Sequence, residues 1–206
     1  MPARPTAPKR DREATEARIV DAAARVLARD GAAGFGINAV AAEAGADKKL
    51  IYRYFGDLDG LIAAMGARLD LWAGPSEPPK DGESYGARMA RLLAAYGQHV
   101  RGDLLLQRLL AWELAEDAPA LRALDAARAK AMQAAMPAMR GSDGPPDGVD
   151  APAINAVLLA AANYLALRGR TMGRFAGLDL SSAAGRARAD AALRFLAERA
   201  YALPSR

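Results

Sequence analysis

The sequence has no cysteine and a single histidine, His99. The first absence excludes disulfides, thiolate metal sites and cysteine nucleophiles, and the second leaves too few imidazoles to complete a zinc centre. Aromatic residues are scarce at 6%, whereas hydrophobic residues reach 52%, so the apolar content is mostly alanine and leucine, which favour helix over strand. The expected class is all-α. A length of 206 residues suits one large domain, or a small domain joined to a larger one. No Ser/His/Asp arrangement of a hydrolase is present, and the glycines at 31, 34 and 36 have neither the spacing nor the preceding strand of a dinucleotide loop. No catalytic residue, metal site or cofactor is expected.

Long uncharged runs are also few. Residues 151–167 carry no charge, but the run is shorter than the roughly 20 apolar residues of a membrane span, and Asn155 and Asn163 interrupt it. A helix buried within protein is the expectation. At the N-terminus no apolar stretch follows the first basic residues; Asp11, Arg12, Glu13 and Glu16 follow instead, unlike a secretory signal. A cytoplasmic location, with no membrane partner, fits both features and the lack of cysteine.

The net charge of +4 is too mild to identify a partner. Its distribution says more. Arg4, Lys9, Arg10 and Arg12 fall among Pro2, Pro5 and Pro8, the pattern of a disordered basic arm over residues 1–12. From residue 13, Ile19, Ala22, Ala23, Val26 and Leu27 recur at helical spacing until Gly31. A short helix over 37–44 stops at Gly45, and another begins at Asp47, whose side chain can cap it. Asp57 can cap a fourth, with Leu58, Leu61, Ile62, Met65, Leu69 and Trp72 as its apolar stripe. The proline- and glycine-rich stretch 74–82 is the clearest break, which divides the chain into a first domain at 13–74, with the fourth helix leading up to the boundary, and a second domain at 75–206. Further helices are expected at 84–100, 104–115, 119–139, 151–175 and 181–203, with no strand.

Two short helices joined by a glycine and braced by a longer one are the layout of a helix-turn-helix. On the third helix, at about 100° per residue, Ile51, Tyr54 and Phe55 share one sector, and Lys48, Lys49, Tyr52 and Arg53 share another. Lysine and arginine attract phosphates, Arg53 can pair with a guanine edge, and the Tyr52 hydroxyl can donate to a phosphate oxygen. Leu50 lies between the sectors and can touch a thymine methyl or pack inward. By charge alone, the cationic sector reads equally as a solvated helix face.

Taken in order, Ile19 to Ala23, Gly31, the 37–45 segment, Leu50-Ile51-Tyr52-Arg53-Tyr54-Phe55 and Leu61 resemble the TetR-type transcriptional regulators over about residues 13–65. Tyr164 to Arg168 and the Gly177-Leu178-Asp179 break resemble that family's C-terminal half less specifically. The resemblance implies a three-helix DNA-binding domain, a divergent helical ligand-binding domain, and a homodimer bridged by the last two helices. It further implies a repressor released by a small-molecule effector. The candidate DNA-binding residues are Lys48, Lys49, Leu50, Tyr52, Arg53 and Tyr54. Four positions depart from the family pattern. Gly36 replaces a capping Thr or Ser, Leu58 a lysine that starts the fourth helix, Lys49 a small residue, and Leu50 a frequent threonine. These changes bear on phosphate contacts and base preference more than on fold.

A helical second domain can enclose an apolar cavity with a few polar groups. The candidate ligand-lining residues are Met89, Tyr96, Trp112, Met132, Met136 and Tyr164, which serve equally as core. Glu113 and Arg108 read as surface charges that could reach a polar ligand group. Ala160, Ala161, Ala162, Leu165, Ala184, Ala191, Ala192 and Leu196 offer small or apolar surfaces for close helix packing. Four such helices from two chains would set two recognition helices about 34 Å apart, facing successive major grooves of a near-palindromic operator.

Overall fold

The computed structural model describes residues 9–68, 72, 77–140 and 144–202. In chain order its helices are α1 Lys9–Gly34, α2 Ile37–Ala44, α3 Lys48–Phe55, α4 Leu58–Gly66, α5 Tyr85–Gly102, α6 Leu104–Ala115, α7 Pro119–Arg140, α8 Ala151–Thr171 and α9 Ala183–Tyr201. An antiparallel ladder of β1 Arg174–Phe175 with β2 Leu178–Asp179 lies between the last two. Among the described residues the fold is all-α apart from this ladder. The chain divides into two compact units, residues 1–68 with 112–130 and residues 69–111 with 131–206, so the division falls inside α6 and α7.

In the first unit α1 buries Ile19, Ala22, Ala23, Val26 and Leu27, the stripe expected from spacing, together with Val40, Ile51, Leu61, Ile62 and Met65 from α2, α3 and α4. The helical run of α1 breaks at Gly31, whose φ of 70° lies outside the helical region. Lys9 to Arg12, expected in the disordered arm, are part of α1. Arg12 pairs with Glu16 at 2.7 Å and the Thr15 hydroxyl donates to the Asp11 carbonyl, so the local sequence supports helix once the prolines end. Residues 1–8 lie outside the described residues. Gly66 of α4 faces α7 so closely that a Cβ there would stand 2.6 Å from the Leu124 carbonyl oxygen.

In the second unit α5, α8 and α9 pack together. Ala90, Leu93, Leu158, Ala162, Leu193 and Ala197 form one buried cluster, and Tyr85, Met89, Ala151 and Tyr201 form the next. Small residues let the helices close up, as where Gly86 of α5 sits against Tyr201 of α9.

Three expectations are corrected. α8 ends at Thr171 rather than near 175, because the chain turns into the hairpin through Ala176 and Gly177 at φ 46° and 78°. Consecutive positive φ values are those of a two-residue hairpin turn, and strands of two residues are too short to show a period. The uncharged run also is not buried within this chain. α8 is long and apolar enough, by length and composition, to cross a membrane, yet only 22% of its most apolar stretch is buried, since just one face meets α5 and α9. The apolar stripe of the fourth helix was expected to extend through Leu69 and Trp72. α4 ends at Gly66, Leu69 lies outside the described residues, and Trp72 is buried.

Candidate nucleic-acid interface

The turn between α2 and α3 is built by Gly45 in the left-handed region, with φ 58° and ψ 39°. The Gly45 and Ala46 amides donate back to the Ala42 and Ala41 carbonyls at 3.2 and 3.0 Å, closing the end of α2. Asp47 then caps α3, its Oδ1 accepting from the Lys49 amide at 2.8 Å. α2 starts at Gly36 in extended backbone with no side-chain cap, as the sequence implied. Arg25 and Arg29 of α1 each donate to the Glu43 carboxylate of α2 at 2.8 Å. Arg25 and then Arg29 hold that carboxyl below its ordinary range. This brace joins positions 14 and 18 residues apart, so no local pattern could have revealed it.

α3 carries two faces. Ile51 is fully buried and Phe55 half-buried on one; Lys48, Lys49, Tyr52 and Arg53 are exposed on the other. Leu50 is half-buried, between the two. Tyr54 is half-buried as well, its ring set edge-on to Phe55 at 6.4 Å, with the Arg53 and Arg12 guanidiniums 5.6 and 5.3 Å from its centroid. The Arg12 contact joins two separate helices, and a basic arm over residues 1–12 does not imply it. It brings a cation from the start of α1 to the same helix that carries Lys48, Lys49 and Arg53. Leu58 opens α4 half-buried, where Asp57 caps the helix by accepting from the Gly60 amide at 2.8 Å.

Three exposed cations and a phenol on one side of a helix, with its other side anchored in a core, suit the phosphates and base edges of a major groove. Asp47 spends one carboxylate oxygen on capping the helix, and the outward sector beyond it carries the cations Lys48, Lys49 and Arg53.

The six candidate ligand-lining residues have different surroundings. Met89 belongs to the buried cluster of Tyr85, Ala151 and Tyr201. Tyr96 packs on the neighbouring cluster and donates to Asn163 Oδ1 at 2.7 Å. Tyr164 is exposed, with its ring 4.8 Å from that of Phe175. Trp112 lies in the first unit, edge-on to Phe35 at 6.1 Å and donating to Glu116 at 3.0 Å. Met132 and Met136 are half-buried on α7. Glu113 is not a surface charge: both its oxygens lie 2.9 Å from Arg128 Nη1, and burial raises its carboxyl pKa against the pull of that arginine.

A profile described as bacterial regulatory proteins, tetR family, matches residues 19–65. The HTH-type transcriptional repressor SCO4008 of Streptomyces coelicolor is 38% identical over 162 residues, spanning 75% of this chain and 80% of the relative. Among solved structures, a TetR transcriptional regulator from Rhodococcus sp. RHA1 superposes with a TM-score of 0.64 at 16% identity, covering 96% of this chain and all of that one. The multidrug binding protein EbrR, complexed with imidazole, gives 0.55 at 24% identity over 97% and 98% of the two chains.

Proposed function

The chain belongs to the TetR family of bacterial regulatory proteins, and on that premise we propose that it is a cytoplasmic, homodimeric repressor that leaves its operator when a small molecule binds the second domain. The observation that carries the DNA reading is the exposed Lys48, Lys49, Tyr52 and Arg53 face of α3, set out from a buried Ile51. Residues 13–74 are the reader, and residues 75–206 serve ligand binding and dimerisation.

The dimer reading is supported by apolar surface that a single chain leaves uncovered. On α8, Val157 is 69% and Tyr164 44% exposed; on α9, Phe195 is 57% and Leu196 54% exposed. Ala160, Ala191 and Ala192, selected for close helix packing, are exposed beside them. Contiguous apolar faces of this kind mark interfaces. A second copy covering both helices gives a four-helix contact and sets two α3 helices for a near-palindromic site.

The test is binding to the duplex upstream of this protein's coding region, followed across a salt series against a random duplex of equal length. The reading requires tighter binding to the upstream duplex and a steep loss of affinity with salt. Equal affinity for both duplexes at moderate salt contradicts sequence-specific regulation.

A further inference from the structure

Gln107 lies near the start of α6, in the second unit, with 5% of its surface exposed. Its Nε2 donates to the Val100 and Arg101 carbonyls at the end of α5, at 2.7 and 3.0 Å. These two bonds fix which way the amide faces. Its Oε1 is buried and accepts no hydrogen bond from the protein. A buried amide oxygen without a donor is costly, and such atoms call for a partner.

Gln107 also lines a hollow of about 730 Å³ between the α5–α6 turn, the C-terminal half of α8 and the start of α9. That volume is in the range of small-molecule sites. Arg101, Arg170 and Arg186 line it, and among the described residues no carboxylate does. Arg101 is held by Asp190 through two bonds of 2.9 and 2.7 Å, and Arg186 Nη1 donates to the Leu180 and Ser181 carbonyls, which fixes both guanidiniums on the wall. Arg170 is exposed. Leu104, Leu165 and Leu180 supply apolar wall between the charges.

We propose that this hollow binds a small organic acid that also carries a hydroxyl or amino hydrogen. The acid anion meets the guanidiniums, Arg170 foremost; a small movement of the wall uncovers the buried Gln107 Oε1 to accept the hydrogen; a short apolar body lies against the leucines. None of these residues is among the six chosen from sequence, and the site is separate from the α3 face. The assignment rests on the regulator reading only for its consequence, by giving the effector a chemical class.

The experiment is titration calorimetry on the full chain with 4-hydroxyphenylacetate, 3-hydroxybenzoate and 6-hydroxyhexanoate, each beside its counterpart lacking the hydroxyl. At least one hydroxy acid binds, its counterpart binds about tenfold more weakly, and Arg170→Glu weakens binding about tenfold or more with unchanged circular dichroism and melting. Failure of all three acids to bind at millimolar concentration overturns the assignment. So does binding that is indifferent to both the hydroxyl and Arg170→Glu. Duplex binding by the same preparation separates the two readings. Duplex binding without acid binding sinks the site and leaves the regulator; acid binding with this dependence and no duplex binding does the reverse.

Discussion

Replacing Gly60 with alanine would place a methyl carbon 1.9 Å from the Phe55 carbonyl oxygen. The gap must open by about 1.1 Å to reach 3.0 Å, the shortest approach that real Cβ atoms tolerate. The obstacle is backbone at the C-terminus of α3, so no side-chain rotation relieves it. Either α4 pulls away from the recognition helix or its Asp57 cap comes apart, and the cap bond to the Gly60 amide is 2.8 Å long. Overpacking of this kind costs about 1–3 kcal/mol, and a backbone obstacle puts Gly60→Ala at the upper end. Urea unfolding measures it as a shift of midpoint at constant slope. Operator binding should weaken too, even where the variant is folded, because the displaced element is α3. A variant within about 0.5 kcal/mol of the parent, with full DNA affinity, would refute the reasoning.

Gly45→Ala is a contrasting case: nothing stands within 4 Å of the added Cβ, but φ is +58°, so about 1–2 kcal/mol is lost to conformation alone while DNA affinity below the melting range persists. Gly45→Asn should lose less, as read by the same unfolding assay. Lys49→Ala should lower the salt slope of duplex binding by about one unit without disturbing the Asp47 cap, which uses the Lys49 backbone amide. Glu83 is held at about pKa 2, chiefly by Arg91, which reaches its two oxygens at 2.8 and 2.7 Å. Its folded pKa lies below the unfolded one, so its contribution is present above pH about 4.5 and fades as pH falls toward 2. The melting-temperature difference between parent and Glu83→Gln should therefore narrow across that window.

What the sequence revealed was local. Gly45, the Asp47 and Asp57 caps, and the Ile51 and Tyr52 faces of α3 follow from spacings of a few residues, and the structure places each as expected. The span of α6, 104–115, was likewise readable from its leucines and the breaks around it. The Arg25–Glu43 and Arg29–Glu43 braces, the Arg12 contact with Tyr54 and the hairpin at 174–179 were not, because they depend on remote partners or on strands too short for a period. The second domain resisted most. Periodicity shows that Met89 and Tyr96 can face inward, but not whether inward means a core or a hollow, and Gln107 belongs to no motif at all.

The central claim is that the outward side chains of α3 read DNA. Duplex affinity of the parent, Tyr52→Phe and Arg53→Ala, measured at one salt concentration with matched melting curves, tests it most directly. The account predicts that both variants stay folded, since Tyr52 is 51% exposed and Arg53 is exposed, and that each loses affinity for the upstream duplex. Arg53→Ala should lose more, about 1–3 kcal/mol if it pairs with a guanine. Two folded variants that bind the duplex as tightly as the parent would contradict the account.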